Sequence, residues 1–165
     1  MAIEQFLVRQ HINFTRVAHP PFATCDEANQ LLPELAGART KNLFIVARKR
    51  RQYFLLVMAD HKTLDWSALG QTIGGRVQLA SAEQLQAVLN IEPGAVSLLA
   101  LKNDLQHRVT LLVDEEVWSQ SAIQCHPLVN TATLVISKPG ISRFLSITGH
   151  EPMVIAVPER APEPA

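Results

Sequence analysis

The sequence predicts an α+β domain: a mixed, strongly twisted and partly closed, barrel-like sheet flanked by helices. Three observations lead there. Two near-continuous apolar segments, Leu43 to Ala47 and Tyr53 to Met58, are separated by a short basic turn and read as a hairpin buried on both faces. Amphipathic stretches with their own capping residues lie between strand signals. Strands and helices interleave without a regular βαβ rhythm, the pattern of an α+β rather than a doubly wound domain. At 165 residues, 47% of them hydrophobic and 18% charged, the chain suits one ordinary globule with a sizeable core.

In order, Ile3, Phe6, Leu7 and Gln10 follow helical spacing, so the first ten residues form an amphipathic helix. Asn13 to Val17 reads as a short strand, and His19-Pro20-Pro21 forces an extended connection. Thr24 and Glu27 have capping-box spacing and open a helix through Leu32 that Pro33 stops, which explains them structurally. After the central hairpin, Asp65 caps a helix carrying Trp66, Leu69 and Ile73, and Gly74-Gly75 ends it. Ser81 with Gln84 makes a second capping box for a helix that buries Leu85, Val88 and Leu89. Pro93-Gly94 breaks the chain before a strand from Ala95 to Leu101, and Val109 to Val113 supplies the next. Asp114 to Trp118 reads as a short acidic helical turn, and Leu134 to Ile136 as a strand. Pro139 sits in the first turn of a helix carrying Ile141, Phe144 and Leu145, with Gly149 at its end. Met153 to Val157 completes the sheet. The domain therefore spans 1–157, and 158–165, with three prolines in eight residues, is a loose tail.

Lysine plus arginine equals aspartate plus glutamate at 15 each, so net charge gives no sign of a nucleic-acid partner. A local run, Arg48-Lys49-Arg50-Arg51, is either a solvated turn or a set of phosphate contacts. Cys25 and Cys125 form no CxxC pair, no metal spacing and no disulfide framework. There is no leader-like N-terminus and no apolar window long enough to span a bilayer, so the expectation is a reduced, cytoplasmic protein that does not enter a membrane. P-loop, dinucleotide, HExxH and GxSxG signatures are all missing.

The residues that could carry chemistry lie in three segments. Lys41 and Asn42 stand at the mouth of the apolar strand in Thr40-Lys41-Asn42-Leu43-Phe44-Ile45-Val46, where a lysine is either solvated along its stem or held at a site. Glu92-Pro93-Gly94-Ala95-Val96-Ser97 places a glycine where it serves a turn or lets backbone approach a ligand. In Cys125-His126-Pro127-Leu128-Val129-Asn130 the proline keeps the histidine's backbone extended; His126 and Asn130 are site residues or ordinary loop residues.

These three segments, with the closing Thr148-Gly149-His150-Glu151-Pro152, resemble the YbaK-like trans-editing deacylases, free-standing relatives of the bacterial prolyl-tRNA synthetase insertion domain. The resemblance covers nearly the whole chain and looks closest to the branch that hydrolyses alanyl-tRNA(Pro). It implies a curved, barrel-like sheet and a pocket for the aminoacylated terminal adenosine. Lys41, Gly94 and His126 would carry catalysis, and Asn42, Ala95, Val96, Ser97, Leu98, Pro127 and Asn130 would bind substrate. Arg48, Lys49, Arg50 and Arg51 would touch the tRNA. The partners implied are aminoacylated proline tRNA and prolyl-tRNA synthetase, with no cofactor, no metal and no cysteine nucleophile. An aminoacyl ester is already activated, so orienting a water or a ribose hydroxyl and stabilising an oxyanion suffices. Deacylation of cysteinyl- or seryl-tRNA, and a non-catalytic module docking on tRNA or synthetase, are the alternatives. One departure stands out: where the family's loop has glycine, three residues and proline, this chain has Leu98, which predicts a freer loop.

Overall fold

The computed structural model describes residues 2–21, 35–49 and 52–160. Helix α1 (Ile3–Arg9) buries Ile3 and Leu7 and sets Phe6 edge-on to Phe144, with ring centroids 6.1 Å apart. Strand β1 (Thr15–Ala18) starts two residues later than expected. The helix expected between Thr24 and Leu32 lies outside the described residues.

Strands β2 (Thr40–Ala47) and β3 (Gln52–Ala59) form the expected hairpin, paired antiparallel from Thr40↔Ala59 to Ala47↔Gln52. Alternation sends Phe44, Val46, Leu55 and Val57 into the larger core and Ile45, Phe54, Leu56 and Met58 into a smaller one on the other face. Each such side chain, fully buried, contributes about 1.5–3 kcal/mol of transfer free energy, and that is why both segments read as continuously apolar.

Helix α2 (Trp66–Ile73) begins where the Asp65 carboxylate accepts from the Ala68 amide at 3.0 Å and ends on a left-handed Gly74. Strand β4 (Val77–Leu79) follows; three residues, two of them exposed, leave no periodicity to detect. Helix α3 (Ala82–Leu89) carries the complete Ser81–Gln84 capping box. The strand expected from Ala95 to Leu101 does not form. Two 3-10 turns, Pro93–Ala95 and Leu98–Asn103, take its place, with the Ser97 hydroxyl accepting from the Leu99 amide at 3.2 Å. An unbroken run of apolar residues has no period, so it fits a buried turn as well as a buried strand.

Then come β5 (Val109–Asp114), α4 (Glu115–Trp118), β6 (Ala122–Cys125), β7 (Ala132–Ser137), α5 (Lys138–Thr148) and β8 (Met153–Ile155). Strand β6 is an element the sequence does not signal. Gly149, at φ +79°, ends α5 in the left-handed region, and a Cβ there would stand 2.9 Å from His107 Nε2. His150 is a buried strut: its Nε2 lies 2.8 Å from Asp104, whose carboxylate also accepts from the amides of Arg108 and Val109 at 2.9 Å each.

The strands make two sheets, β1-β7-β6 and β4-β2-β3-β5-β8, the second mixed because β3–β5 and β5–β8 are parallel. The barrel does not close. The sheets are stitched just before β2, where Ala38 bridges Ile123, its amide donating to the Ala122 carbonyl at 2.8 Å while its carbonyl accepts from Gln124 at 3.0 Å. At the other end of the chain, Pro158 to Arg160 are bonded back onto Thr63–Asp65, and 161–165 lie outside the described residues.

Asp114, fully buried, joins β3, α4 and the turn after β3: it accepts from Lys62 Nζ at 3.1 Å and from the amides of Ala59 and Glu116 at 3.0 Å each. Asp114→Ala leaves a nearly buried ammonium and two amides without this acceptor, so equilibrium denaturation will show a loss of about 3 kcal/mol or more. Lys62→Met, which leaves the carboxylate its two amide donors, will cost less in the same measurement.

Candidate functional site

Loop 126–131 leaves β6 just past the Cys125↔Leu134 pairing and returns into β7. His126, half-buried, places its Nδ1 3.3 Å from the Ala132 carbonyl. A carbonyl can only accept, so Nδ1 carries the hydrogen and, in the neutral ring, Nε2 holds the lone pair. Burial pushes the His126 pKa below its usual 6.5, the carbonyl opposes this, and the neighbouring His19 adds to the lowering. The neutral tautomer with a basic Nε2 is therefore the form present at neutral pH.

His19 belongs to the same neighbourhood: its Nε2 lies 2.8 Å from the Thr133 hydroxyl and its amide donates to the Thr131 carbonyl at 2.9 Å. Read from sequence, His19 was only the start of a proline-enforced connection; β1–β7 pairing brings it across. Leu128, directly after Pro127, has φ +63°, a left-handed conformation that a leucine rarely adopts. Nothing in the sequence signals it.

The 3-10 turn at Pro93–Ala95 meets this loop. A Cβ on Gly94 would stand 3.5 Å from Asn130 Nδ2, so the glycine is not required by its backbone angle and instead leaves the approach to Asn130 open. Ala95, Ser97 and Leu98 are buried and Val96 packs on the larger core, so these residues brace the loop from behind; Gly94 is the exposed member. Leu98, 1% exposed, is packed into the larger core behind the Gly94 turn.

Lys41 sits apart from these groups. Its half-buried ammonium donates to the Lys62 carbonyl, and its pairing with Met58 puts it on the side of the smaller core, whereas Asn42, opposite Val57, faces the larger one. The link to the loop runs through its neighbour, Thr40, whose hydroxyl donates to the Gln124 carbonyl at 3.1 Å, two residues before His126. The structure thus gathers His126, Pro127, Asn130 and Gly94, with His19 and Thr133 added, and leaves Lys41 at the edge of the group. Arg48 and Lys49 lie at the far end of β2; Arg50 and Arg51 are outside the described residues. Cys125 is buried and its thiol is pushed up to about 12, so it offers no thiolate. Cys25 lies outside the described residues. No group of three or more metal-ligating side chains occurs among the described residues, and no helix among them is long and apolar enough to cross a membrane.

A mixed α+β domain whose polar groups converge on two loops beside a strand mouth is the architecture to be compared with known proteins. The aminoacyl-tRNA editing domain model matches residues 19–144, and the chain belongs to that family. It is 34% identical over 157 residues to the zebrafish (Danio rerio) prolyl-tRNA synthetase associated domain-containing protein 1, covering 93% of this chain and 85% of that one. It is 31% identical over 140 residues to the prolyl-tRNA editing protein ProX of Acetoanaerobium sticklandii, covering 84% and 85%. The fold matches a crystal structure of a candidate trans-editing enzyme for prolyl tRNA synthetase with a TM-score of 0.69 at 19% identity, over 96% of this chain and 95% of that one.

The His126 environment is directly measurable. Its NMR titration midpoint will fall below 6.5; a midpoint at or above that value would contradict the burial described here. Because the unfolded chain takes up the proton first, this group withdraws stability as pH falls from about 6.5 toward the lower folded value. His126→Gln will flatten that part of the stability–pH curve.

Proposed function

We propose that the protein is a trans-editing hydrolase that clears alanine from alanyl-tRNA(Pro). Membership of the editing-domain family supports aminoacyl-ester hydrolysis in general, and the relative named as a prolyl-tRNA editing protein supports proline tRNA. The observation that carries the chemistry is the fixed tautomer of His126, whose Nε2 is left as an acceptor in the loop that also carries the exposed Asn130, against which Gly94 lies.

In this reading the terminal adenosine enters over Gly94, and Asn130 with the surrounding backbone holds the ester. His126 Nε2 accepts a proton from a water as its oxygen bonds to the ester carbonyl carbon. Collapse of the tetrahedral intermediate breaks the bond to the ribose oxygen, which takes that proton back, releasing alanine and uncharged tRNA. Lys41, at the edge of the group, would exchange the Lys62 carbonyl for a phosphate or the developing oxyanion. Asn42, Ala95, Val96, Ser97, Leu98 and Pro127 shape or brace the pocket.

Proline tRNA charged in turn with alanine, cysteine, serine and proline tests the proposal. Alanine will be released and proline retained. Preferential release of cysteine or serine would replace the alanine assignment, and binding without release of any amino acid would make the protein a non-catalytic module. His126→Ala will slow alanine release about a hundredfold or more, the usual contribution of a general base. Lys41→Ala will slow it about tenfold or more; a rate within about twofold of the parent would leave Lys41 as a strut for the Lys62 carbonyl alone.

A further inference from the structure

A second polar region lies at the opposite end of β2. The turn after β2 and the approach to β4 are tied together, the Arg48 amide donating to the Arg76 carbonyl at 3.0 Å. The two arginines thereby flank one cleft of about 560 Å³, whose other lining residues include Trp66, Gln71, Gly74 and Gln78. A Cβ at Gly74 or Gly75 would meet nothing within 4 Å, so this wall is open to a bulky ligand. Arg48, Lys49 and Arg76 are exposed, and no described carboxylate pairs with any of them. Among the described residues, no acidic side chain lines the cleft. In a chain of zero formal net charge, that is a local concentration of positive potential beside neutral hydrogen-bonding side chains.

We propose that this cleft, between α2 and the β4 edge, holds the sugar-phosphate backbone of the tRNA body while the aminoacylated end occupies the His126 site. The inference rests on the deacylase reading and extends it. Lys41 and Arg48 are seven residues apart on one extended segment, about 23 Å at ~3.3 Å per residue. An aminoacyl-adenosine is too short to touch both ends, whereas a tRNA reaches from one to the other. Arginine forks suit phosphate oxygens, Gln71 and Gln78 can reach ribose hydroxyls, and the apolar body of Trp66 floors the cleft. These are contacts that position a nucleic acid without reading its sequence. The protein would therefore recognise its substrate in two parts, the ester at one end of β2 and the RNA backbone at the other.

The test compares two substrates with one variant, Arg48→Ala combined with Arg76→Ala. Uncharged proline tRNA is titrated at several salt concentrations, and deacylation is followed on a short acylated oligonucleotide copying the tRNA 3′ end. The double variant will bind tRNA about tenfold more weakly, with a log–log salt slope smaller by about 1 for each arginine removed. It will hydrolyse the short substrate at the parental rate, and Arg76→Lys will keep most of the binding. Unchanged tRNA affinity and salt slope would overturn the proposal, as would equal losses on both substrates, which would assign the arginines to the ester site or to the fold. Unchanged tRNA binding with lost binding of prolyl-tRNA synthetase would place an acidic protein surface in the cleft and overturn it too. A parent that binds tRNA with the expected slope yet hydrolyses neither substrate would sink the deacylase reading alone.

Discussion

A β-strand buried on both faces can carry polar chemistry only at its two ends, and the arrangement of this molecule follows from that constraint. From Phe44 to Ala47 and from Tyr53 to Ala59 every side chain is buried, alternately in one core and the other, so no ion or ligand can be admitted along their length. Polar residues collect where burial stops. Thr40, Lys41 and Asn42 stand at the entry of β2, and Arg48 and Lys49 directly follow its exit. The entry end is also where the smaller sheet is stitched on through Ala38, so the polar end of one sheet abuts the loop that the other sheet projects. Site and sheet junction coincide because both need the same thing, a place where backbone groups are not yet committed to ladder hydrogen bonds.

What the sequence disclosed depended on whether a signal was local. Asp65, Ser81 with Gln84, Pro139 and Gly149 act within one helical turn, and each marks its helix end as expected. The β2–β3 hairpin was legible because its apolar runs are long and joined by a short turn. Illegible features were those set by distant partners or lacking a period. Strand β6 exists because β7 and the stitch at Ala38 pair with it, and the Leu98–Asn103 turn shares its apolar run with any buried strand. For the site, Gly94, His126, Pro127 and Asn130 were identified through family resemblance, and the structure shows why spacing alone could not find them. Gly94 and Asn130 are 36 residues apart in sequence, yet a Cβ on Gly94 would stand 3.5 Å from Asn130 Nδ2, and His19 reaches Thr133 across 114 residues.

Lys41 shows the limit of reading a charged residue from its position. At a strand mouth a lysine has two faces available, and strand alternation gives Lys41 and Asn42 opposite ones. The ammonium bonds to the carbonyl of Lys62, whose own ammonium meets Asp114, so two lysines and one aspartate form a chain from the strand entry to the buried cap of α4. Such a chain ties the strand mouth to β5, beside the hydrogen bond from Thr40 to the Gln124 carbonyl. Support of the fold and service to a ligand are compatible here, since a backbone carbonyl is a weaker partner for an ammonium than a phosphate or an oxyanion.

The chemistry proposed for this site asks for little, and the structure supplies it by exclusion as much as by provision. Burial denies Cys125, at the end of β6, its thiolate and denies His126, at the start of the loop, its proton, which leaves a neutral base next to a thiol that cannot act as a nucleophile. The Ala132 carbonyl then decides which ring nitrogen is basic, a choice that depends on how β7 begins rather than on any neighbouring acid. A hydrolase acting on an activated ester can work with that, because orientation and a proton acceptor together replace the covalent step that a stable amide would require. In the proposed reading, the same economy would leave discrimination to the walls of the pocket. Leu98, buried where the family's loop carries proline, packs the Gly94 turn against the larger core instead of fixing it by ring closure.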